Sequence, residues 1–252
     1  MASRGSMTLA ISQGVKVVET AGRGVPPEIM AKFKEAGIVV MHKCTSIRHA
    51  LSAQKGGVDV ISMDGFDCGG HPGEDDVGNW VLLPLAARRL DIPFIASGGC
   101  ADGKQLAAAL ALGAVGMNMG TRFMATQEAP IVMGIKDALV QADERSTTHV
   151  FRSMNNTERV FRNPTVDKVR ELEAEHPGDF SKIADLVRGD NYKKAFEETG
   201  DPNNSVWSCG QSIGLVEDVP TCKELLENIV AEAEEILNVG ASYIAAPRAS
   251  KL

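Results

Sequence analysis

The chain has 252 residues, 44% of them hydrophobic and 23% charged, with a formal net charge of -7 at pH 7. This length can bury the core of one large globular domain or of two smaller ones. Because the chain is acidic and has no cluster of lysines and arginines, no nucleic-acid partner is expected. No apolar run approaches the roughly 20 residues that span a bilayer, so no membrane-embedded form is expected either.

The cysteines indicate a reducing compartment. They are odd in number, scattered along the chain and free of any C-x-x-C spacing, so the sequence predicts neither a disulfide framework nor a zinc site. No metal is expected. The five are Cys44, Cys68, Cys100, Cys209 and Cys222.

The two ends of the chain carry signals that are separate from the fold. Residues 1–6 are small and polar, lack the apolar stretch of a targeting peptide and resemble a leftover cloning sequence. The last three residues, Ser250-Lys251-Leu252, match the tripeptide that the peroxisomal import receptor reads. Residues 241–252 are expected to form an unstructured tail that presents it. The predicted location is therefore the peroxisome, with the cytoplasm as the alternative.

Between Gly14 and Phe123, short β-branched runs alternate with longer amphipathic stretches, as in βα units built around a parallel sheet. The predicted strands are Val15–Glu19, Ile38–His42, Val58–Met63, Phe94–Ser97 and Val115–Met119. The predicted helices between them are Pro27–Ala36, Ser46–Lys55, Trp80–Leu90 and Asp102–Leu112, and three of these end at a glycine stop signal.

Each predicted strand is followed by glycine or by polar residues at its carboxyl end. In a barrel of parallel strands these ends share one face, where such folds keep their sites. The pattern therefore predicts an α/β protein of the (β/α)8 TIM-barrel type. A closed barrel takes about 250 residues, whereas only five βα units are found here in little more than a hundred, so the chain is expected to be N-terminally incomplete.

After residue 130 the alternation of strand and helix patterns ends. Amphipathic helices are predicted at Ala129–Ala142 and Cys222–Val239, and the region between them is polar and rich in turns. The predicted organisation is a partial βα barrel at residues 7–130, and a mainly helical subdomain with a closing helix at residues 131–240. Four arginines recur near helical spacing and could bind an anion, although a solvated face is favoured. They are Arg145, Arg152, Arg159 and Arg162.

Two glycine-containing loops follow the last two predicted strands. Ser97-Gly98-Gly99 precedes one helix, and Gly120-Thr121 lies further along. In barrels, bare backbone N–H groups at these two positions commonly hold a phosphate, so a phosphate-bearing cofactor is favoured over ordinary turn glycines. The glycine spacing is not that of a Rossmann fold or of a P-loop.

Two basic side chains follow other predicted strands. Lys43 ends a buried strand, where it could stabilise negative charge on a reduced cofactor ring or form a salt bridge with Asp64; both interpretations stand. His71 lies in a glycine-rich loop after Asp64-Gly65, and could act as a base or hydrogen-bond donor or be a structural loop residue. The glycine setting favours function. The acidic run Glu74-Asp75-Asp76 is predicted to cap the helix that begins near Trp80 rather than to bind a metal.

Several of these segments together resemble one family. They are Lys43-Cys44-Thr45, Asp64-Gly65-Phe66, the run from Gly70-His71-Pro72 to Asp76, Ser97-Gly98-Gly99, Ala111-Leu112-Gly113 and Gly120-Thr121-Arg122-Phe123. The sequence from about Gly14 to Leu237 is similar to the nitronate monooxygenase (2-nitropropane dioxygenase) family of FMN barrel enzymes, close to the branch with bacterial NADH:quinone reductases.

The resemblance implies roles for particular residues. FMN would contact Lys43, Asp64, Gly69, the loop of Ser97, Gly98 and Gly99, and the pair Gly120 and Thr121. The phosphate would lie at the last two loops, with Lys43 near the electron-accepting end of the flavin ring. His71 would be the catalytic histidine at the flavin face.

The resemblance also implies the reaction. An alkyl nitronate would reduce FMN, and O2 would then yield a carbonyl compound and nitrite; the alternative is an NAD(P)H:quinone oxidoreductase that uses the same flavin. Family members begin with a glycine-rich, methionine-containing flavin loop that is not found before Met7. A third hypothesis is therefore a truncated, catalytically silent chain whose exposed barrel edge pairs with another chain in an oligomer.

Overall fold

A computed structural model of the chain describes residues 9–22 and 24–245, with side chains as far as residue 240. The predicted cloning sequence at residues 1–6 and the tripeptide Ser250-Lys251-Leu252 lie outside the described residues.

A five-stranded parallel sheet forms the centre of the fold, with its strands in chain order from one edge to the other. It is curled into half of a barrel, which is the geometry of a TIM-barrel-like fold. Every predicted strand is present, although the fifth is only two residues long. The strands are β1 (Val17–Thr20), β2 (Val39–Cys44), β3 (Val60–Asp64), β4 (Phe94–Ser97) and β5 (Met117–Asn118).

The strand register determines which side chains share the concave face of the half-barrel. Asp64 is paired with Ser97, and Ser97 with Asn118. Lys43 is paired with Ser62, which lies two positions before Asp64 and so on the same face. At the carboxyl end of the sheet, the side chains of Lys43, Asp64, Ser97 and Asn118 therefore point to the same side, with Ser62 below Asp64.

Four helices cover the convex face of the sheet: α1 (Pro27–Glu35), α2 (Ile47–Lys55), α3 (Asn79–Arg89) and α4 (Gly103–Ala111). Their sequence signals are those expected of helix starts. Ser46 caps α2 by accepting a hydrogen bond from the backbone N–H of His49. Asp102 and Gln105 form a capping box at the start of α4. The main hydrophobic core lies between these helices and side chains such as Val40 and Ile61 on the outer side of the strands.

The second half of the chain differs from the prediction in one main respect. It contains an antiparallel hairpin, β6 (Thr147–Val150) and β7 (Glu158–Phe161), in a region that was expected to be mainly helical. The described helices that follow β5 are α5 (Thr121–Met124), α6 (Met133–Gln141), α7 (Pro164–Glu175), α8 (Gly189–Lys194) and α9 (Cys222–Ala245).

Two further differences concern helix ends. The helix predicted from Ala129 begins only at Met133, and the last helix extends to Ala245, past the predicted end at Val239. The first five residues assigned to the tail, 241–245, are therefore helical. Among the described residues, no helix combines the length and the apolarity that crossing a bilayer requires.

Two smaller cores support the second half. One lies around Trp207, whose ring is buried, stacks on Phe161 and meets the edge of Phe196. Its indole N–H donates to the carbonyl of Pro202. Trp207 is thus a packing residue of this core. The other core lies beneath the hairpin, where Val160 packs with Val166 and Val169 of α7.

Candidate active site at the carboxyl end of the parallel sheet

A cluster of polar side chains occupies the concave face where the strands end. The Nζ atom of Lys43 lies 3.4 Å from Asp64 Oδ1 and 3.5 Å from Ser97 Oγ. It also lies 3.6 Å from Glu19 Oε1. The predicted salt bridge between Lys43 and Asp64 is therefore present. Lys43 still faces the open mouth of the half-barrel, so the salt bridge is compatible with a role in stabilising negative charge on a reduced cofactor ring.

Two members of this cluster, Glu19 and Asn118, are absent from the predicted site. Glu19 is on β1 and Asn118 is on β5, the two edges of the sheet, yet Asn118 Nδ2 donates to Glu19 Oε1 at 3.3 Å. This contact spans the concave face and reflects the curl of the sheet. The sequence does contain a signal for Glu19. Side chains alternate between the two faces of a strand, and this alternation places Glu19 on the same face as Lys43.

An apolar surface lies on the concave face below this cluster. Val17 and Val39 precede Glu19 and Lys43 by two and four positions, respectively, and keep 52% and 40% of their surface exposed. A flat ligand with an apolar ring and polar edges would find both kinds of contact here.

The glycines of the predicted flavin loops are required mainly by packing between the loops. Gly98 has φ +83, and a Cβ there would lie 2.5 Å from the Cβ of Cys68. Gly99 has φ +72, and its Cβ would lie 2.9 Å from that of Asp67. A Cβ at Gly69 would lie 2.7 Å from the backbone nitrogen of Gly210. These positions need glycine even without a ligand.

Gly120 is different, because a Cβ there would have no atom within 4 Å. Its backbone N–H, like those of Gly98, Gly99 and Thr121, donates to none of the residues that the structure describes. The hydroxyl of Thr121 is already used, since it accepts a hydrogen bond from the N–H of Gly210 at 2.9 Å. The last two strand ends thus offer four backbone donors, while the Thr121 side chain helps to hold the neighbouring loop.

Asn79, at the start of α3, holds the first of these loops. Its Nδ2 donates to the carbonyls of Ser97 at 2.8 Å and of Gly98 at 2.7 Å. On the outer side of Gly98 and Gly99, between α3, α4 and the turn at Gln211–Leu215, lies a cavity of about 440 Å³. Neither Lys43 nor His71 lines it, so the polar cluster on the concave face is a separate, open site.

His71 lies on a loop that contacts the Gly98 loop directly and is linked to Thr121 through Gly210. Cys68 lies against Gly98, and Gly69 lies against Gly210, whose N–H is bonded to Thr121. The ring of His71 is exposed and bonds to none of the described residues. It is therefore free to contact a ligand, and its catalytic role stays a prediction.

The prediction for the acidic run after His71 is wrong. The N-cap of α3 is Gly78, and no side chain caps the helix. Instead, Glu74 accepts hydrogen bonds from Thr157, and Asp76 pairs with Arg152 at 2.8 Å. The acids bind the hairpin because the run precedes the helix start by several residues. No cluster of potential metal ligands occurs among the residues that the structure describes.

The thiols near the site are not nucleophiles. Burial raises the pKa of Cys44, Cys68, Cys100 and Cys209 to about 12, so these groups stay protonated near neutral pH. They act as small apolar packing groups.

Beneath the His71 loop, a histidine is held in its neutral form. Burial, followed by the charges of Arg159 and Arg152, lowers the pKa of His149 from 6.5 to about 4. The ring lies 4.8 Å from the ring of Phe66, and its Nε2 has no hydrogen-bond partner among the described residues. Between pH 6.5 and 4 the unfolded chain binds a proton at this position that the folded chain does not bind.

We therefore expect His149 to make the protein less stable as the pH falls from 6.5 to 4. The loss should be about 1–2 kcal/mol, allowing for solvent screening of this half-buried ring. Urea denaturation at several pH values would measure it. The matched variant His149→Phe keeps an aromatic ring against Phe66 and should lose less stability over this range. Equal losses in both proteins would contradict the prediction.

Comparison with known proteins gives this geometry a context. The sequence profile of the nitronate monooxygenase family matches residues 3–232. A Rhodococcus jostii RHA1 protein described as "(3aS,4S,5R,7aS)-5-hydroxy-7a-methyl-1-oxo-octahydro-1H-indene-4-carboxyl-CoA dehydrogenase" is 31% identical over 89% of this chain and 72% of its own length. A Staphylococcus saprophyticus protein described as "Probable nitronate monooxygenase" is 29% identical over 92% of this chain and 67% of its own length.

A solved structure supports the same relationship. FabK from Thermotoga maritima superposes with a TM-score of 0.88 at 32% identity, over 96% of this chain and 76% of the FabK chain. The curled parallel sheet, the site at its carboxyl end and these matches define a flavin-dependent oxidoreductase. Within that class, the chain belongs to the nitronate monooxygenase family.

Proposed function

We propose that the protein is an FMN-dependent nitronate monooxygenase that oxidises alkyl nitronates with O2 to carbonyl compounds and nitrite. The observation that carries the proposal is that the neighbouring strands β4 and β5 each end in a glycine loop with backbone N–H groups that are unpaired among the described residues. Ser97, the last residue of β4, has its hydroxyl 3.5 Å from Lys43 Nζ, which joins these loops to the polar cluster. FMN, when bound, supplies electron acceptance and the reaction with oxygen. The residues of the chain bind and orient it and its substrate.

The phosphate end of FMN fits the two glycine loops. The N–H groups of Gly98, Gly99, Gly120 and Thr121 are donors without acceptors among the described residues, and a phosphate supplies the missing acceptors. The open space at Gly120 admits a close approach to the backbone. We assign Gly98, Gly99 and Gly120, with the backbone N–H of Thr121, to this end. Ser97, whose hydroxyl lies 3.5 Å from Lys43 Nζ, would contact the cofactor next to them.

Lys43 fits the ring end. Its contacts with Asp64, Ser97 and Glu19 measure 3.4–3.6 Å, longer than the 2.7–2.9 Å of a strong charge-assisted bond. The ammonium group is thus loosely held and can donate to a ligand atom. A cation here would stabilise negative charge that develops on an electron-accepting ring. Asp64 keeps the lysine in place. We also assign Gly69, two residues before His71, to the ring end of the cofactor.

His71 fits the substrate side. It is the exposed part of a loop whose base lies against the Gly98 loop, and a neutral or protonated imidazole can donate a hydrogen bond to a nitronate oxygen. We propose that His71 positions the anionic nitronate at the flavin by a hydrogen bond and acts as the general acid–base group of the site.

A second candidate is reduction of the same flavin by NAD(P)H with a quinone as electron acceptor. The relative described as a dehydrogenase is 31% identical, so members of this structural class do not all have the same described activity. The polar cluster and the glycine loops would have the same roles in both reactions, and only the substrate that contacts the ring would differ.

Anaerobic mixing distinguishes the two candidates. Purified protein loaded with FMN is mixed with ethylnitronate or with NADH, and the flavin absorbance is followed. We expect ethylnitronate to bleach the flavin and air to restore the colour with release of nitrite. Bleaching by NADH but not by ethylnitronate would reverse the order of the two candidates. A preparation that does not take up FMN would support the catalytically silent chain instead.

A further inference from the structure

The β6–β7 hairpin is joined directly to the loop that carries His71. Gly70, the residue before His71, forms an antiparallel bridge with Arg159 of β7. The N–H of Gly70 donates to the carbonyl of Arg159 at 3.0 Å, and the N–H of Arg159 donates to the carbonyl of Gly70 at 2.7 Å. The loop is thus attached to the edge of the hairpin like a short additional strand.

The side chain of Arg159 strengthens this attachment. Its Nε and Nη2 donate to the carbonyl of Phe66 at 3.1 and 2.9 Å, and its guanidinium carbon lies 4.6 Å from the centre of the Phe66 ring. Nη1 donates to Thr147 at 3.1 Å. The guanidinium therefore links the hairpin to the start of the loop.

Arg159 is unusual because it is only 3% exposed and has no carboxylate within ion-pair distance among the described residues. Burial lowers the pKa of its guanidinium, although the group stays charged. A buried cation without an ion pair costs free energy unless its hydrogen bonds compensate. Here two of its donors contact one backbone carbonyl of the His71 loop, which gives the loop a fixed anchor.

A second contact lies on the other side of His71. The carboxylate of Glu74 accepts hydrogen bonds from the backbone N–H of Thr157 at 2.8 Å and from the Thr157 hydroxyl. His71, Pro72 and Gly73 therefore lie between two attachments to the same hairpin. Because no described residue bonds to the His71 ring, the position of the ring depends on its backbone. The hairpin holds that backbone on both sides of His71, and Gly73 also packs against Thr45.

We propose that Arg159 and the Glu74–Thr157 pair are positioning residues that hold His71 in place for the reaction. This inference rests on the proposed function of His71. Neither group touches the polar cluster on the concave face, so their effect on the reaction passes through the His71 loop. Displacing a catalytic group by about 1 Å can lower the rate by roughly 10²-fold, so a loss of either contact should be measurable.

The test uses Glu74→Ala, which removes the exposed attachment, and Arg159→Lys, which keeps the charge but loses the paired bonds to Phe66. Hydrogen exchange of the peptide containing residues 69–76 should accelerate about fivefold to tenfold in each variant. Arg162→Gln is the matched control, because Arg162 is exposed, pairs with Asp167 and follows the same hairpin. It should leave exchange in this peptide unchanged.

Turnover provides the second readout. Glu74→Ala should lower turnover about tenfold or more in the otherwise unchanged protein, and it should have no further effect when His71 is already Asn. Unchanged exchange at residues 69–76 in both variants, or an equal loss of turnover in the His71→Asn background, would overturn the inference. If NADH and not nitronate reduces the flavin, the same comparison is made with NADH. The exchange result does not depend on the flavin, so its failure is distinguishable from failure of the proposed reaction.

Discussion

Replacing His71 by asparagine is expected to lower nitronate turnover by about 10²- to 10⁴-fold, the usual contribution of a positioned proton-transfer group. Asparagine is similar in size and keeps a hydrogen-bonding amide, but it cannot exchange a proton near neutral pH. Because the His71 ring is exposed and bonds to no described residue, the substitution should leave folding unchanged. Nitrite release at saturating ethylnitronate measures the effect.

Two measurements accompany this variant. The affinity for FMN should stay within about twofold of the original protein, since His71 is placed on the substrate side and not in the phosphate loops. His176→Asn provides the matched control, because His176 is also exposed and lies at the end of α7, away from the site. Full turnover in His71→Asn, or an equal loss in His176→Asn, would remove the catalytic role of His71.

The βα half of the chain could be predicted well because its signals are local. Short β-branched runs such as Phe94–Ser97 are bounded by glycine or polar residues, and the helices begin at residues such as Ser46 and Asp102 that cap them. The predicted and observed ends of the strands differ by only a few residues. In a parallel sheet that is covered by helices, local pattern and global fold agree, so each element can be read from its own residues.

The β6–β7 hairpin could not be predicted in the same way. Thr147–Val150 and Glu158–Phe161 each have four residues, and the polar segment between them includes Phe151 and Asn155 in left-handed conformations. Neither strand is markedly apolar. Their pairing depends on contacts with distant parts of the chain, such as the bridge between Arg159 and Gly70, and such contacts leave no local signal.

In the candidate site, too, some residues have a local sequence signal and others depend on contacts between distant parts of the chain. Lys43, Asp64 and Ser97 could be predicted because each is the last or next-to-last residue of a strand, and the shared end of parallel strands brings them together. Glu19 and Asn118 meet only because the sheet curls, and the degree of curl depends on the whole sheet. For Arg159, its spacing from neighbouring arginines suggested a solvated helix face, whereas the structure buries it in a strand.

Alanine substitutions in the two glycine loops should distinguish residues required for packing from residues required for ligand binding. Replacing Gly98 by alanine should destabilise the protein by about 2–4 kcal/mol, because the new Cβ would lie 2.5 Å from Cys68 Cβ and the backbone has φ +83. Both the steric contact and the left-handed conformation oppose any side chain. The midpoint of urea unfolding should fall accordingly.

Gly120→Ala is the matched variant. A Cβ at Gly120 would have no atom within 4 Å, so the unfolding free energy should change by less than about 1 kcal/mol. The added methyl group would instead occupy the space through which a phosphate approaches the backbone, and the dissociation constant for FMN should rise about tenfold or more. Fluorescence quenching of added FMN measures this constant.

The pair of variants separates two statements about the site. If Gly98→Ala is as stable as the original chain, the close packing of the Gly98 loop on Cys68 is wrong. If Gly120→Ala binds FMN as tightly as the original chain, the phosphate does not lie at Gly120, and the assignment of both glycine loops to the cofactor loses its main support. Because one variant reports on packing and the other on binding, a general loss of folding cannot account for both expected results.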